Sequence, residues 1–66
     1  MEILLNGAPL TVATQTTVAA LLDQLELSGQ RLAVEINLEI IPRSAHDSHL
    51  LQPGDRVEVV RAIGGG

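Results

Sequence analysis

The sequence predicts an α+β protein in which a mixed sheet of four to five strands packs on one helix. Short runs of alternating apolar and polar residues flank one stretch with helical periodicity. The chain has 66 residues and no Cys, Phe, Tyr or Trp, so one small aliphatic core without disulfides serves all of these elements. We therefore expect a single domain over residues 1–63, followed by a flexible glycine tail at residues 64–66.

An opening β-hairpin is predicted within residues 1–13. Two runs of strand character are separated by Asn6 and Gly7, which tolerate the positive φ angles of a type I′ turn. Pro9 lacks a backbone N–H, so its strand is expected at an edge of the sheet. Alternation along the first strand places Leu4 on the face opposite the core.

Helical periodicity follows the hairpin. Apolar residues recur at spacings of three and four, which predicts an amphipathic helix of about three turns. Polar residues at 14–17 can cap its start, and Gly29, preceded by Ser28, is expected to cap its end with a positive φ angle. The apolar positions of this helix are Val18, Leu21, Leu22 and Leu25.

Two further strands are predicted after the helix. Residues 32–36 alternate again, and Asn37 with Leu38 offers a turn. A short edge strand at residues 39–41 follows and is ended by Pro42.

The last strand comes after an irregular segment. Residues 43–49 are polar and compatible with one turn of 3₁₀ helix. Pro53 and Gly54 suit the central positions of a type II turn, and alternation then predicts a strand over residues 56–63. The resulting order, β-β-α-β-β-β with one helix on a mixed sheet, is the β-grasp arrangement.

The charge of the chain limits its partners. Eight acidic residues face four arginines and no lysine, giving a formal net charge of −4. Nucleic acid is not an expected partner, because phosphate binding requires basic side chains and single strands also require aromatic stacking platforms. A protein with a basic docking surface is expected instead. Without lysine, one copy cannot be joined through its carboxyl end to a side-chain amine of another.

Size and hydropathy exclude further classes. A cleft large enough for a small substrate would have to be carved from the core of a very small domain, so we expect a carrier or binding protein and not an enzyme. No run approaches the ~20 apolar residues of a membrane span, and the first residues lack the basic start of a signal peptide. We expect no membrane association and a cytoplasmic location.

Several motifs in order give the chain a recognisable likeness. Residues 51–59 read Leu-x-x-Gly-Asp-x-Val-x-Val, residues 36–37 read Ile-Asn, residues 41–43 read Ile-Pro-Arg, and Gly-Gly stands at 65–66. With these motifs the chain resembles the ubiquitin-like sulfur carriers, and within them the sulfur carriers of thiamine biosynthesis. Gly64 is an additional glycine that the two-glycine end of that family does not require.

The resemblance implies a chemistry for the carboxyl end. An E1-like adenylating enzyme would use ATP and Mg²⁺ to activate the carboxylate of Gly66, so no cofactor is bound by the chain itself. Sulfur from a cysteine desulfurase-derived donor would then give a thiocarboxylate, which thiazole synthase would use to form the thiazole of thiamine. Gly64 and Gly65 would thread with Gly66 into narrow partner sites, because residues without Cβ atoms fit where side chains do not.

Two other groups of residues are candidate sites. Leu4 and Val60 fall on the outer face of the sheet and are expected to form an apolar docking centre, with Ile63 as a further partner contact. His46 and His49 flank Asp47, but no third or fourth ligand lies nearby in the sequence. We interpret both histidines as solvated loop residues and expect no metal site.

Other functions remain open from the sequence. The small subunit of molybdopterin synthase has the same fold, the same glycine end and the same thiocarboxylate chemistry. A ubiquitin-like modifier or a pure interaction module would also fit a small β-grasp chain. A modifier would form amide bonds with target lysines, and an interaction module would not need its terminal glycines.

Overall fold

The computed structural model describes residues 1–61 of the chain, and residues 62–66 lie outside the described part. The observed elements confirm the predicted order of strands and helix, with one 3₁₀ turn at Arg43–Ala45. They are β1 (Glu2–Leu5), β2 (Ala8–Thr11), α1 (Val18–Gln24), β3 (Leu32–Ile36), β4 (Glu39–Ile41) and β5 (Arg56–Arg61).

The five strands form one mixed sheet in the order β2-β1-β5-β3-β4. β5 is the central strand and runs parallel to β1 and antiparallel to β3. The two hairpins place β2 and β4 at the edges, where Pro9 of β2 lies opposite Leu4. The predictions of a mixed sheet and of an edge position for Pro9 are confirmed.

Both hairpin turns use residues with positive φ. Asn6 and Gly7 have φ angles of 49° and 85°, and Asn37 and Leu38 have φ angles of 52° and 71°. Two successive positive φ angles are the signature of a type I′ turn, whose twist matches that of the flanking strands. Leu38 is unusual here, because a bulky apolar residue sits in the left-handed region at the tip of a turn and is 85% exposed.

The helix is shorter than predicted. It begins after Thr17, whose side-chain oxygen accepts a hydrogen bond from the backbone N–H of Ala20 at 3.1 Å. It contains seven residues, or about two turns at 3.6 residues per turn. The N-terminal cap agrees with the predicted polar run, whereas the expected third turn is wrong.

The end of the helix explains its length. Glu26 adopts a φ of 61°, its N–H donates to the carbonyl of Asp23 at 3.0 Å, and the N–H of Leu27 donates to the carbonyl of Leu22 at 2.8 Å. This pair of bonds is a Schellman motif, with Glu26 in the position that glycine usually takes. The predicted helix cap at Gly29 is therefore wrong, whereas the positive φ expected at Gly29 is observed, at 81°. Turning at Glu26 brings Leu27 back towards Leu22, and both then pack on the core.

The core lies between α1 and the inner face of the sheet. It is entirely aliphatic, as the composition requires, and it includes two residues outside regular elements, Val12 and Leu51. Leu25, predicted on the apolar stripe of the helix, is only partly buried against this core. The buried apolar residues are Ile3, Val12, Val18, Leu21, Leu22, Val34, Ile36, Ile41, Leu51 and Val57.

Candidate functional site

The part of the candidate site that the structure describes is the root of the glycine tail. Gly64, Gly65 and Gly66 lie outside the described residues, as do Ile63 and the end of the strand predicted to reach it. Arg61 is the last described residue and pairs with Leu32 of β3. The tail thus continues from the central strand of the sheet.

Asn6 secures β5 on the side opposite β3. β1 ends at Leu5, and the backbone N–H of Asn6 donates to the carbonyl of Val57 at 2.8 Å. The Asn6 side chain then reaches Val59, whose N–H donates to Oδ1 at 2.9 Å, while Nδ2 donates to the Val59 carbonyl at 3.4 Å. The carboxamide thereby continues the ladder as a peptide group would. β5 is thus held on both sides as far as Val59.

An open groove of about 310 Å³ adjoins the end of β5 on the core side of the sheet. Its walls come from β1, the segment after α1, β3 and β5. No local pattern along the chain predicts such a groove. Its rim includes Asn6 and Arg61, and the remaining lining is apolar: Leu5, Leu25, Leu27, Leu32 and Val59.

The structure separates the two residues that were expected to form an apolar docking centre. Strands β1 and β5 are adjacent, as predicted, but Leu4 lies level with Arg56. Val60 is four residues further along β5, which is about 13 Å at ~3.3 Å per residue. Leu4 is half-buried beside Pro9, whereas Val60 is 53% exposed and pairs with Ala33 of β3. The expectation that Leu4 and Val60 form one apolar centre is therefore wrong, while the partner role of each residue stays a prediction.

Val60 instead belongs to a surface on the other half of the sheet. Along β5 and β3 the pairs that share its face are Val60 with Ala33, and Glu58 with Glu35. On β4, Ile40 lies opposite Glu35 and is 72% exposed. We call these five residues the outer patch. Sequence reasoning missed the patch because it did not assign β3 as the neighbour of β5.

Two motif residues that were noted separately in the sequence contact each other. Asp55 is 7% exposed, and its carboxylate accepts hydrogen bonds from the Asn37 side chain at 3.0 Å and from the backbone N–H of Gln52 at 2.8 Å. Asn37 also accepts from the N–H of Arg56 at 3.0 Å through its Oδ1. The role of these residues is to join the turn before β5 to the turn after β3. No local pattern in the sequence predicts this contact, because Asn37 and Asp55 are 18 positions apart.

The histidines have structural roles in the described part of the chain. His46 is 9% exposed, and its Nε2 lies 3.1 Å from the carbonyl oxygen of Ile41, which can only accept, so Nε2 carries the proton. The interpretation of His46 as a solvated residue is therefore wrong. His49 is half-buried, so it is only partly solvated. Residues 1–61 contain no group of three or more potential metal ligands. No helical segment among these residues is long and apolar enough to cross a membrane.

A five-stranded mixed sheet on one helix, in this strand order and with a Gly-Gly-Gly sequence after the central strand, defines a ubiquitin-like β-grasp protein. The model of the ThiS family matches residues 3–66. The chain belongs to this family, the sulfur carriers of thiamine biosynthesis.

Relatives and solved structures agree with the family model. The chain is 36% identical over its whole length to the sulfur carrier protein ThiS of Escherichia coli K12, and the match covers all of both chains. The crystal structure of a thiamine biosynthesis protein (ThiS) from Geobacter metallireducens matches with a TM-score of 0.87 and 36% identity, again over all of both chains.

Longer proteins also contain a segment similar to this chain. A thiazole synthase of Paramagnetospirillum magneticum is 39% identical to it over 66 residues, which are 20% of that protein. A thiazole synthase of Magnetococcus marinus matches to the same extent. The chain therefore spans about a fifth of the length of these two relatives.

Proposed function

We propose that this protein carries sulfur as a thiocarboxylate on Gly66 and donates it for formation of the thiazole moiety of thiamine. The observation that carries the proposal is the match of the ThiS family model through Gly66. The full-length similarity to a named sulfur carrier protein supports it.

The chemistry requires activation by another protein. A carboxylate is a poor electrophile, because its charge is delocalised and its oxygen is a poor leaving group. An E1-like adenylating enzyme would join AMP from ATP to the Gly66 carboxylate, with Mg²⁺ offsetting the phosphate charge and pyrophosphate leaving. The terminal sulfur of a cysteine desulfurase-derived persulfide would attack the acyl carbon and displace AMP, which gives an acyl disulfide. A thiol on a partner protein would then reduce the S–S bond, leaving the thiocarboxylate on Gly66 and a disulfide on the partner.

The chain acts in this scheme as a protein co-substrate, and the catalytic groups, ATP and Mg²⁺ belong to its partners. Thiazole synthase would receive the sulfur. The thiazole synthases that contain a segment similar to this chain support it as a partner, since such proteins keep a carrier-like sequence and a synthase in one polypeptide.

The folded part of the chain and its glycine tail would have separate roles. Residues 62–66 span about 17 Å when fully extended, at ~3.3–3.6 Å per residue, so Gly66 can reach a buried site while the sheet stays outside. Glycines at 64–66 would pass a channel that excludes side chains. Val60 and Ile63, near the root of the tail, would contact the partner that receives it.

Intact mass tests the proposal directly. Incubation with ATP, Mg²⁺, the adenylating enzyme and a sulfur donor should add the mass difference between one sulfur and one oxygen atom, and fragmentation should place it on Gly66. Deleting Gly66 withdraws the acyl carbon by about 3.5 Å, one residue's span. A misplacement of 1 Å can cost on the order of 10²-fold in rate, so the truncated chain should accept sulfur far more slowly.

A substitution within the tail separates threading from the mere presence of a carboxylate. Gly65→Val adds a stiff, β-branched side chain and should also block sulfur transfer. Ala13→Val adds the same kind of side chain at an exposed position far from the tail in sequence, and it should leave the rate unchanged. Normal transfer to Gly65→Val or to the chain without Gly66 would refute a threaded, Gly66-linked carrier.

A further inference from the structure

The outer patch combines exposed apolar groups with two carboxylates on one sheet face. Ile40 is 72% exposed and Val60 53% exposed, although both lie on strands whose inner faces are buried. Ala33 lies opposite Val60, and its small side chain leaves the floor between them shallow. This half of the outer face is therefore open to a partner.

Glu35 and Glu58 face each other across β3 and β5 within this surface. Directly opposed residues of an antiparallel pair have their Cβ atoms about 5 Å apart, and like charges at that spacing are destabilising. Glu35 is half-buried and has Ile40 on its other side, which reduces its access to water. The free protein thus holds two negative charges side by side, at positions where neutral residues would also fit the strand pattern and the packing.

Arg56 and Asn37 are the polar neighbours of this pair of carboxylates. Arg56 shares the face, but it lies level with Leu4 and about 6.6 Å along the strand from Glu58, at two residues of ~3.3 Å each. The side chain of Asn37 bonds to Asp55 and to the backbone N–H of Arg56. Glu35 and Glu58 themselves are paired directly with each other, without a basic residue opposite either of them on β3 or β5, and a cation from a partner can be placed between them.

We propose that the outer patch docks the adenylating enzyme by receiving one arginine or lysine side chain between Glu35 and Glu58, while Ile40 and Val60 contact apolar groups around it. The inference rests on the proposed function, because it assigns this face to the partner that activates Gly66. Charge complementarity carries it: the chain has a net charge of −4, and the paired carboxylates concentrate negative charge at one apolar-rimmed point. A cation placed there is attracted by both carboxylates and screens their repulsion.

The proposal makes stability and affinity respond in opposite directions. Glu58→Gln keeps the shape of the side chain and removes one charge. The free protein should unfold at a higher temperature, because the repulsion with Glu35 is gone. Its affinity for the adenylating enzyme should fall about tenfold, since one of the two attractions on the partner's cation is lost. Glu35→Gln should behave in the same way.

Glu2→Gln is the matched control. Glu2 is exposed on β1, where it pairs with Thr11, and it lies on the same face as the outer patch but outside it. The substitution changes the net charge by the same amount. Affinities would be measured by titration calorimetry with the adenylating enzyme of the same organism at two salt concentrations. Only Glu35→Gln and Glu58→Gln should weaken binding markedly and flatten its salt dependence.

The outcomes separate this inference from the proposed function. If Glu58→Gln and Glu35→Gln bind as tightly as the unmodified protein, or lose no more affinity than Glu2→Gln, the patch does not receive a cation. Val60→Asp should weaken binding through the apolar contact and leave the domain folded, and unchanged affinity would likewise overturn the patch. The proposed function fails instead if the unmodified protein gains no sulfur at Gly66, whatever the variants do.

Discussion

The contact between Asn37 and Asp55 offers a quantitative test of how the sheet holds together. Asp55→Ala removes the acceptor of two hydrogen bonds from a residue that is 7% exposed. Asn37→Gly removes the partner side chain without backbone strain, because the φ of 52° at this position suits glycine. Together with the double variant, the two substitutions form a cycle that isolates their interaction.

The expected coupling energy follows from the hydrogen bonds that Asp55 accepts. A hydrogen bond to a charged group contributes about 1.5–3 kcal/mol, so the coupling between Asn37 and Asp55 should be about 2 kcal/mol. Asp55→Ala also leaves the N–H of Gln52 without its acceptor, and its total cost should be about 3–4 kcal/mol. A domain of this size has about 3–10 kcal/mol of stability, at roughly 0.05–0.15 kcal/mol per residue. Asp55→Ala therefore approaches the limit of what the fold tolerates.

Urea unfolding followed by far-ultraviolet circular dichroism measures these energies, because the chain has no Trp or Tyr to report by fluorescence. If Asp55→Ala is unfolded without urea, Asp55→Asn keeps one acceptor oxygen and should cost about half as much. Asp47→Ala, at an exposed carboxylate, is the control and should change stability by less than about 0.5 kcal/mol. A coupling energy below about 0.5 kcal/mol, the level of independent sites, would refute the reasoning.

Three further predictions concern the core and the turns. Leu22→Ala should cost about 2–5 kcal/mol in the same urea assay, because Leu22 is 7% exposed within the core; a surface-like change would contradict its burial. Asn6→Gly keeps the positive φ and removes the side-chain hydrogen bonds to Val59. The Val59 amide should then exchange hydrogen about tenfold faster, which corresponds to a loss of roughly 1.4 kcal/mol in local stability. Unchanged protection of this amide would show that the carboxamide does not hold β5. Gly54→Ala should cost about 1–2 kcal/mol through its φ of +81° alone, since an added Cβ meets nothing within 4 Å; a larger loss would point to a steric clash that the structure does not contain.

Local rules predicted the elements that depend on neighbouring residues. The type I′ turn at Asn6 and Gly7, the edge position of Pro9 and the N-terminal cap before Val18 all follow from short-range sterics and hydrogen bonding. The helix end did not follow from such rules. Packing of Leu27 back towards the core ends the helix before Glu26, which takes a left-handed conformation three residues before Gly29, and Gly29 has a positive φ as well.

The surfaces were harder to predict than the elements, because they depend on strand register. Alternation correctly assigned Val60 to the outer face, but only the pairing of β5 with β3 shows that its neighbour is Ala33 and not Leu4. The facing of Glu35 and Glu58 is invisible in the sequence for the same reason, since 22 intervening residues separate them and no local pattern links them. The partner roles of Leu4, Val60, Ile63 and the glycines at 64–66 stay predictions.

The central place of β5 has a mechanical consequence. A pull applied at Arg61 acts along the strand, so it loads the hydrogen bonds to β3, to β1 and to Asn6 in shear. Bonds loaded in this way have to rupture together, whereas a strand peeled sideways from an edge opens one bond at a time. An enzyme that draws the chain's end into its active site would therefore pull on a strand that is paired on both sides, in the direction that loads those bonds together.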